Sequence, residues 1–296
     1  TRRTAVKLRK HARGIAMPEG PEIRRAADQI AAVLENEVIE DLFLGLQRLK
    51  KFRRTLTGTR VRSIETRGKA LLTHFSTDWT LYSHNQLYGV WHVVDRGQYP
   101  ATKRTLRVAL HTARHSALLY SASDIWVLTS KQLTTHPFLS RIGPDILDKS
   151  LTWRALLSRL REPRFQNRKL AALYLDQQFL AGIGNYLRSE IIHDAGLDPS
   201  LRPIDLNRGQ LGRLARSTLT LCQRSYISNG ITNRAGIARK LKAQGKSRSA
   251  YRFAIFDREG ECCYRCGGSV IRSTLNSRRL YSCAQCQTSP LETQSG

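Results

Sequence analysis

The chain has 296 residues, with 49 Lys and Arg against 23 Asp and Glu, giving a net charge of +26 and a pI near 10.6. That length accommodates two domains with separate cores, and the basic excess points to a polyanionic partner. A hydrophobic fraction of 41%, a mean hydropathy of -0.40, no apolar run near the roughly 18 residues of a membrane span and no secretory pattern at either end argue against a membrane or exported protein.

Residues 1–17 read as a leader. Arg2, Arg3, Lys7, Arg9, Lys10 and Arg13 precede Met17, the only methionine, and no acidic residue accompanies them. A targeting peptide is one reading. Upstream sequence ahead of a start at Met17 is the other, favoured because the lone methionine falls where a start is needed. The segment is expected to be removed or non-native. Without its six charges the chain still carries +20.

Pro18 and Glu19 follow. A proline at a chain start carries a secondary amine, which can attack a sugar aldehyde carbon and form an iminium with a fixed positive charge. That charge is an electron sink that favours elimination at the neighbouring carbon. Glu19 is placed to move protons. Inside a peptide bond the same nitrogen is inert.

Pro21 to Leu34 has helical spacing, with Ile23, Ala26, Ala27, Ile30, Ala31 and Leu34 on one face. From Val38 to about Leu128, short β-type runs recur at about ten-residue intervals, the pattern of a sandwich or barrel. Gly143-Pro144-Asp145 punctuates a boundary. Helices are then expected over 151–160, 169–180, 185–195 and about 205–222, with a sharp turn at Gly182-Ile183-Gly184. Residues 226–250 are polar, basic and glycine-containing, and read as a mobile loop. The expected organisation is α+β: a β-sandwich with an edge helix (18–135), a linker (136–148), a helical domain (149–250), a cysteine module (251–287) and a tail (288–296).

Five of the six cysteines lie between Cys262 and Cys286. Cys263 and Cys266, with Cys283 and Cys286, give two Cys-x-x-Cys pairs, the donor set of one closed structural zinc ion. Disulfides or free thiols are the alternative. Cys262 is an odd neighbour, and Cys222 reads as a small buried hydrophobe. A rigid hairpin between the pairs would present Arg278 and Arg279 as a phosphate clamp. The eight histidines do not group at metal spacing.

Other motifs are ambiguous by themselves. Asn185 after the glycine turn is either a phosphate-binding residue at a helix start or a plain cap. Lys69 after Gly68 is by default an exposed turn lysine. Gln86-Leu87-Tyr88 could pack on a neighbouring domain, or could fill the hole that a flipped nucleotide leaves in a duplex.

Taken in order, Pro18-Glu19-Gly20-Pro21-Glu22, Thr66 to Leu72, Tyr82 to Gly89, Leu180 to Tyr186 and the four cysteines resemble the formamidopyrimidine-DNA glycosylase/endonuclease VIII family over nearly the whole chain from Met17 to Cys286. The Gln-Leu-Tyr run resembles its endonuclease VIII branch. The resemblance implies a glycosylase and AP lyase acting on oxidised pyrimidines in duplex DNA; a monomer is expected, and the clustered cysteines point to the cytoplasm. It implies Pro18, Glu19, Lys69 and Arg278 as catalytic residues and a helix–two-turn–helix with Asn185 on the lesion phosphate. Gln86, Leu87 and Tyr88 would plug the duplex, with Glu22 and Arg188 in supporting DNA-binding positions. Residues 226–250 do not follow the endonuclease VIII pattern closely, which leaves lesion preference open. The sister activity on oxidised purines and a non-catalytic zinc-ribbon DNA-binding protein are the alternatives.

Overall fold

A computed structural model describes residues 18–275 and 277–287; the leader and the tail lie outside the described residues. Helix α1 (Gly20–Leu34) starts with Pro21 in its first turn, where a missing N–H costs nothing. Eight strands follow: β1 (Asp41–Leu44), β2 (Val61–Arg67), β3 (Ala70–Phe75), β4 (Trp79–His84), β5 (Val90–Asp95), β6 (Leu106–His111), β7 (His115–Tyr120) and β8 (Asp124–Thr129). A 3-10 turn (Gln47–Phe52) and the short helix α2 (Arg53–Leu56) separate β1 from β2. The sequence pattern did not single out this pair.

The strands form two four-stranded antiparallel sheets, in the orders β1-β6-β7-β5 and β2-β3-β4-β8. Their inner faces share one core. Leu42, Val108, Leu110 and Leu119 from one sheet meet Leu71, Phe75, Leu81 and Ile125 from the other. Ile23, Ala27, Ile30 and Leu34 of α1 enter the same core, so the expected edge helix closes the open side of the sandwich. Strand β3 is buried at five of its six positions because the outer face of its sheet is also covered. Ala70, Leu72 and Tyr82 pack there with Leu133 of α3 (Ser130–Thr135), Phe138 and Leu139. The linker expected at 136–148 is therefore partly a packed cover.

The second half has its own apolar cluster. Its helices are α4 (Trp153–Leu160), α5 (Pro163–Gln166), α6 (Leu170–Leu173), α7 (Asn185–Ala195), α8 (Arg208–Ile227), α9 (Ala235–Ala243) and α10 (Arg248–Arg252). Gly196, at φ 66°, ends α7, as a left-handed cap should. Strands β9 (Val270–Leu275) and β10 (Arg278–Cys283) form the terminal hairpin, with Arg278 opposite Leu275.

Two expectations fail. The helix expected over 169–180 stops after α6. Asp176 Oδ1 takes the Gln178 N–H at 2.8 Å, and the Gln177 side chain bonds both Gly182 N and Ile183 O. Such side-chain bonds compete with the helical ladder. The basic loop expected at 226–250 instead carries the end of α8, all of α9 and the start of α10. Glu190 of α7 closes its neck, accepting from Thr232 Oγ1 at 2.6 Å and from the N–H groups of Ala254, Ile255 and Phe256.

Because Ile30 is fully buried where α1 meets both sheets, Ile30→Ala should cost about 2–5 kcal/mol of unfolding free energy. Urea denaturation followed by circular dichroism checks this; a loss below about 1 kcal/mol would contradict the packing.

Candidate active site and metal centre

The two halves meet at the start of α1 and the start of α7. The Glu19 side chain is only 2% exposed. Its Oε2 accepts from Gly184 N at 2.6 Å and Leu187 N at 3.3 Å, and its Oε1 accepts from Tyr186 N at 2.8 Å. The carboxylate thus sits on the N-terminus of α7, where orphan amides and the helix dipole favour an anion. Burial opposes this and wins, pushing the Glu19 carboxyl up to about 7, with Lys69 pulling it down and Glu22 pushing it up. A carboxyl poised near neutrality can both give and take a proton.

Glycines make this approach possible. A Cβ on Gly184 would lie 2.5 Å from Glu19 Cδ. Gly20 N donates to Gly182 O at 2.8 Å, and Gly182 has φ +105°. Gly68, at φ +63°, brings the turn before Lys69 against Ala181, and its N–H is held by Asp145 Oδ2 at 2.7 Å.

Lys69 follows that turn and is half-buried. Burial lowers its pKa, Glu19 opposes the shift and Arg278 adds to it. Lys69, Glu19 and Arg278 are thus electrostatic neighbours, although they come from the turn between β2 and β3, the start of α1 and the start of β10. Pro18 is adjacent to Glu19 and half-buried. Asn185 opens α7, and its Oδ1 accepts from Arg188 Nη2 at 2.7 Å, leaving the amide nitrogen as its remaining donor.

Two residues expected in supporting DNA-binding positions make bonds within the protein. Arg188 is fully buried; it also donates to Ala171 O at 3.1 Å and Arg279 O at 2.7 Å, so it holds Asn185 and the hairpin from beneath. Glu22 accepts from Glu19 N at 3.1 Å and Tyr186 O–H at 2.9 Å, and it pairs with Arg25 at 3.3 Å and Arg252 at 3.5 Å. It is a strut between the halves. Gln86, at φ 51°, takes a hydrogen bond from Ser123 Oγ at 2.8 Å. Leu87 and Tyr88 project beside it, 47% and 65% exposed. Asp145, Tyr186 and Arg25 were not nominated from sequence. Asp145 lies in a turn signal and Tyr186 in the glycine-turn motif, but only the fold reveals their bonds.

The four thiols of Cys263, Cys266, Cys283 and Cys286 lie within 4.8 Å of one another. Cys266 and Cys283 are 3.5 Å apart, and Cys263 and Cys286 are 3.8 Å apart. Four thiolates about 2.3 Å from one ion would stand about 3.8 Å from each other, so the cluster fits a tetrahedral metal. Backbone N–H groups of Arg265 and Gly268 point at Cys263 and Cys266, each at 3.4 Å. Cys262 is exposed and outside the cluster, which leaves Cys263 as the ligand. Cys222 is buried.

A sequence model of the formamidopyrimidine-DNA glycosylase N-terminal domain matches residues 17–123. Endonuclease 8 of Escherichia coli is 52% identical over 271 residues, covering 92% of this chain and 100% of that protein. The chain belongs to the formamidopyrimidine-DNA glycosylase/endonuclease VIII family. Endonuclease 8 of Salmonella enteritidis is 51% identical over the same length. A Lactococcus lactis Fpg in complex with DNA containing N7-benzyl-Fapy-dG shares the fold, with a TM-score of 0.76 and 19% identity over 92% of this chain and 100% of that chain. With membership of the family goes its activity, DNA glycosylase and AP lyase in base excision repair. Among the described residues no helix is long and apolar enough to cross a membrane.

Gly184→Ala should lower base excision by at least about 100-fold, because a displacement near 1 Å of a reacting group is enough for that loss. Single-turnover kinetics on a lesion duplex check it. Stripping the thiol cluster of metal with a chelator should abolish DNA retention in a gel-shift assay while the β-sheet circular dichroism signal persists, since a knuckle of this size folds on its metal.

Proposed function

We propose that this enzyme excises oxidised pyrimidines from double-stranded DNA and cuts on both sides of the lesion by β,δ-elimination. The observation that carries the reading is the Glu19 carboxyl, buried next to Pro18 and held near neutrality on the start of α7, in a chain 52% identical to Endonuclease 8.

Removal of residues 1–17 would free the Pro18 amine, whose reference pKa is about 8; Lys69 and Arg278 nearby would favour its neutral form. The neutral nitrogen attacks C1′ of the damaged nucleotide. The bond from C1′ to the base breaks, and Glu19 gives its proton to the departing base. The nitrogen then gives up its proton, the C1′–O4′ bond of the sugar breaks and O4′ takes a proton, so the product is a ring-opened cationic iminium on Pro18. Its charge sits beside Glu19 and stabilises the carboxylate, so the group that gave a proton becomes the base for the steps that follow. Loss of a proton from C2′ then expels the 3′ phosphate, and a second elimination expels the 5′ phosphate.

Lys69, Arg278 and the Asn185 amide hold the phosphates beside the lesion. Gln86, Leu87 and Tyr88 enter the duplex in place of the extruded nucleotide. The remaining basic surface binds the DNA backbone. The four thiolates hold one structural zinc ion, whose closed site leaves no position for substrate. The enzyme works as a cytoplasmic monomer, with a catalytic domain over 18–135, a DNA-binding domain over 149–250 and the zinc module over 251–287.

The test uses protein processed to start at Pro18, with borohydride and a duplex carrying an oxidised pyrimidine. A covalent protein–DNA adduct is expected. Pro18→Gly should remove or sharply reduce it, and an equal duplex bearing 8-oxoguanine should react more slowly. No adduct with the processed enzyme sinks the iminium scheme. Glu19→Gln should lower base excision by about 10²–10⁴-fold while retaining part of the cleavage at a preformed abasic site. In the wild type, base excision should fall as pH rises through about 7, where Glu19 loses its proton; cleavage of a preformed abasic site should lack that limb.

A further inference from the structure

Helix α7 is fastened to the cysteine module along its length. Arg188 donates to Arg279 O at 2.7 Å, and Tyr281 N donates to Ser189 Oγ at 3.4 Å. The Arg265 guanidinium donates to the carbonyls of His193 and Asp194 at 3.4 and 3.5 Å. Gln287 Nε2 donates to Leu197 O at 2.8 Å, just past the helix.

One contact reaches a sulfur. His193, in the last turn of α7, places Nε2 3.4 Å from Cys263 Sγ, and both side chains are buried. His193 does not belong to the group of mutually close ligating atoms, which the four cysteines complete. A closed tetrahedral site needs no fifth ligand. The separation equals that of the Arg265 N–H from the same sulfur, so Cys263 has two nitrogen neighbours at hydrogen-bond range. A metal-bound thiolate has no proton and can only accept. The tautomer that fits therefore carries its proton on Nε2.

We infer that His193 donates a hydrogen bond to the metal-bound thiolate of Cys263, a positioning role that ties metal occupancy to the helix whose other end holds Glu19 and Asn185. The inference rests on the reading of the four thiols as a metal site and is independent of the reaction on DNA. The N–H withdraws charge from one sulfur and shields it from protonation, which is how metal ligands escape. Through α7 the same bond keeps the hairpin that bears Arg278 in register with Asn185.

The test compares full-length wild type, His193→Phe and His193→Gln as zinc and cobalt(II) forms. The phenyl ring keeps the volume and removes the donor, whereas a glutamine amide restores an N–H. Transfer of zinc to a competing chromophoric chelator should be about 10–100-fold faster from His193→Phe and within about threefold of wild type for His193→Gln. The cobalt–thiolate charge-transfer band should move to lower energy in His193→Phe alone, because a thiolate without its hydrogen bond is easier to oxidise. Unchanged release and an unchanged band in His193→Phe overturn the inference, as does a glutamine variant as labile as the phenylalanine one. Wild type that binds no metal overturns the metal site as well, a result distinct from either.

Discussion

The structure depends on one carboxylate placed on the wrong side of a domain boundary. Glu19 belongs to the first half of the chain, yet its oxygens bond to the first turn of α7 in the second half. Two tendencies compete there. The exposed amides at a helix start favour an anion, whereas loss of water disfavours one. Desolvation prevails, and the carboxyl is left near neutrality. The bonds that join the halves are therefore also those that set the proton affinity of the group beside Pro18.

Other contacts protect that arrangement. Glu22 and Tyr186 brace the two helix starts against each other, Arg25 reaches the carbonyls of Ser225 and Tyr226 at the end of α8, and Tyr226 O–H donates to Asp28 at 2.6 Å. Asp145 holds the turn before Lys69. Glycines at 20, 68, 182 and 184 let the backbones approach at distances a side chain would forbid. Helix α7 is the common support: its start holds Glu19 and Asn185, its middle holds the hairpin through Arg188, and its end meets the thiol cluster.

Much of the chemistry was legible from local pattern. The paired Cys-x-x-Cys spacing named the four clustered thiols, and the two pairs close on each other because β9 and β10 are antiparallel. Strand β3 and helix α7 lie where periodicity and the flanking glycines put them. Where local signals misled, side chains had competed with the backbone. Asp176 and Gln177 end the helix that composition favoured, and Glu190 anchors a segment whose polarity suggested a loop. Arg188 and Glu22 were expected at supporting positions through the family resemblance alone; the fold adds that both find partners inside the protein.

By itself, the sequence determined the chemical inventory: a proline–glutamate pair after the lone methionine, a glycine turn ahead of an asparagine, a basic surface and four thiols at metal spacing. These are properties of residue type and short-range spacing, which survive without knowledge of the fold. Only the tertiary structure decided that Glu19 is buried, that Lys69 and Arg278 share its field, and that Arg188 works from beneath Asn185. Burial and through-space charge arise between segments more than 150 residues apart in the chain, as in the Glu19–Gly184 bond, and no local pattern encodes them.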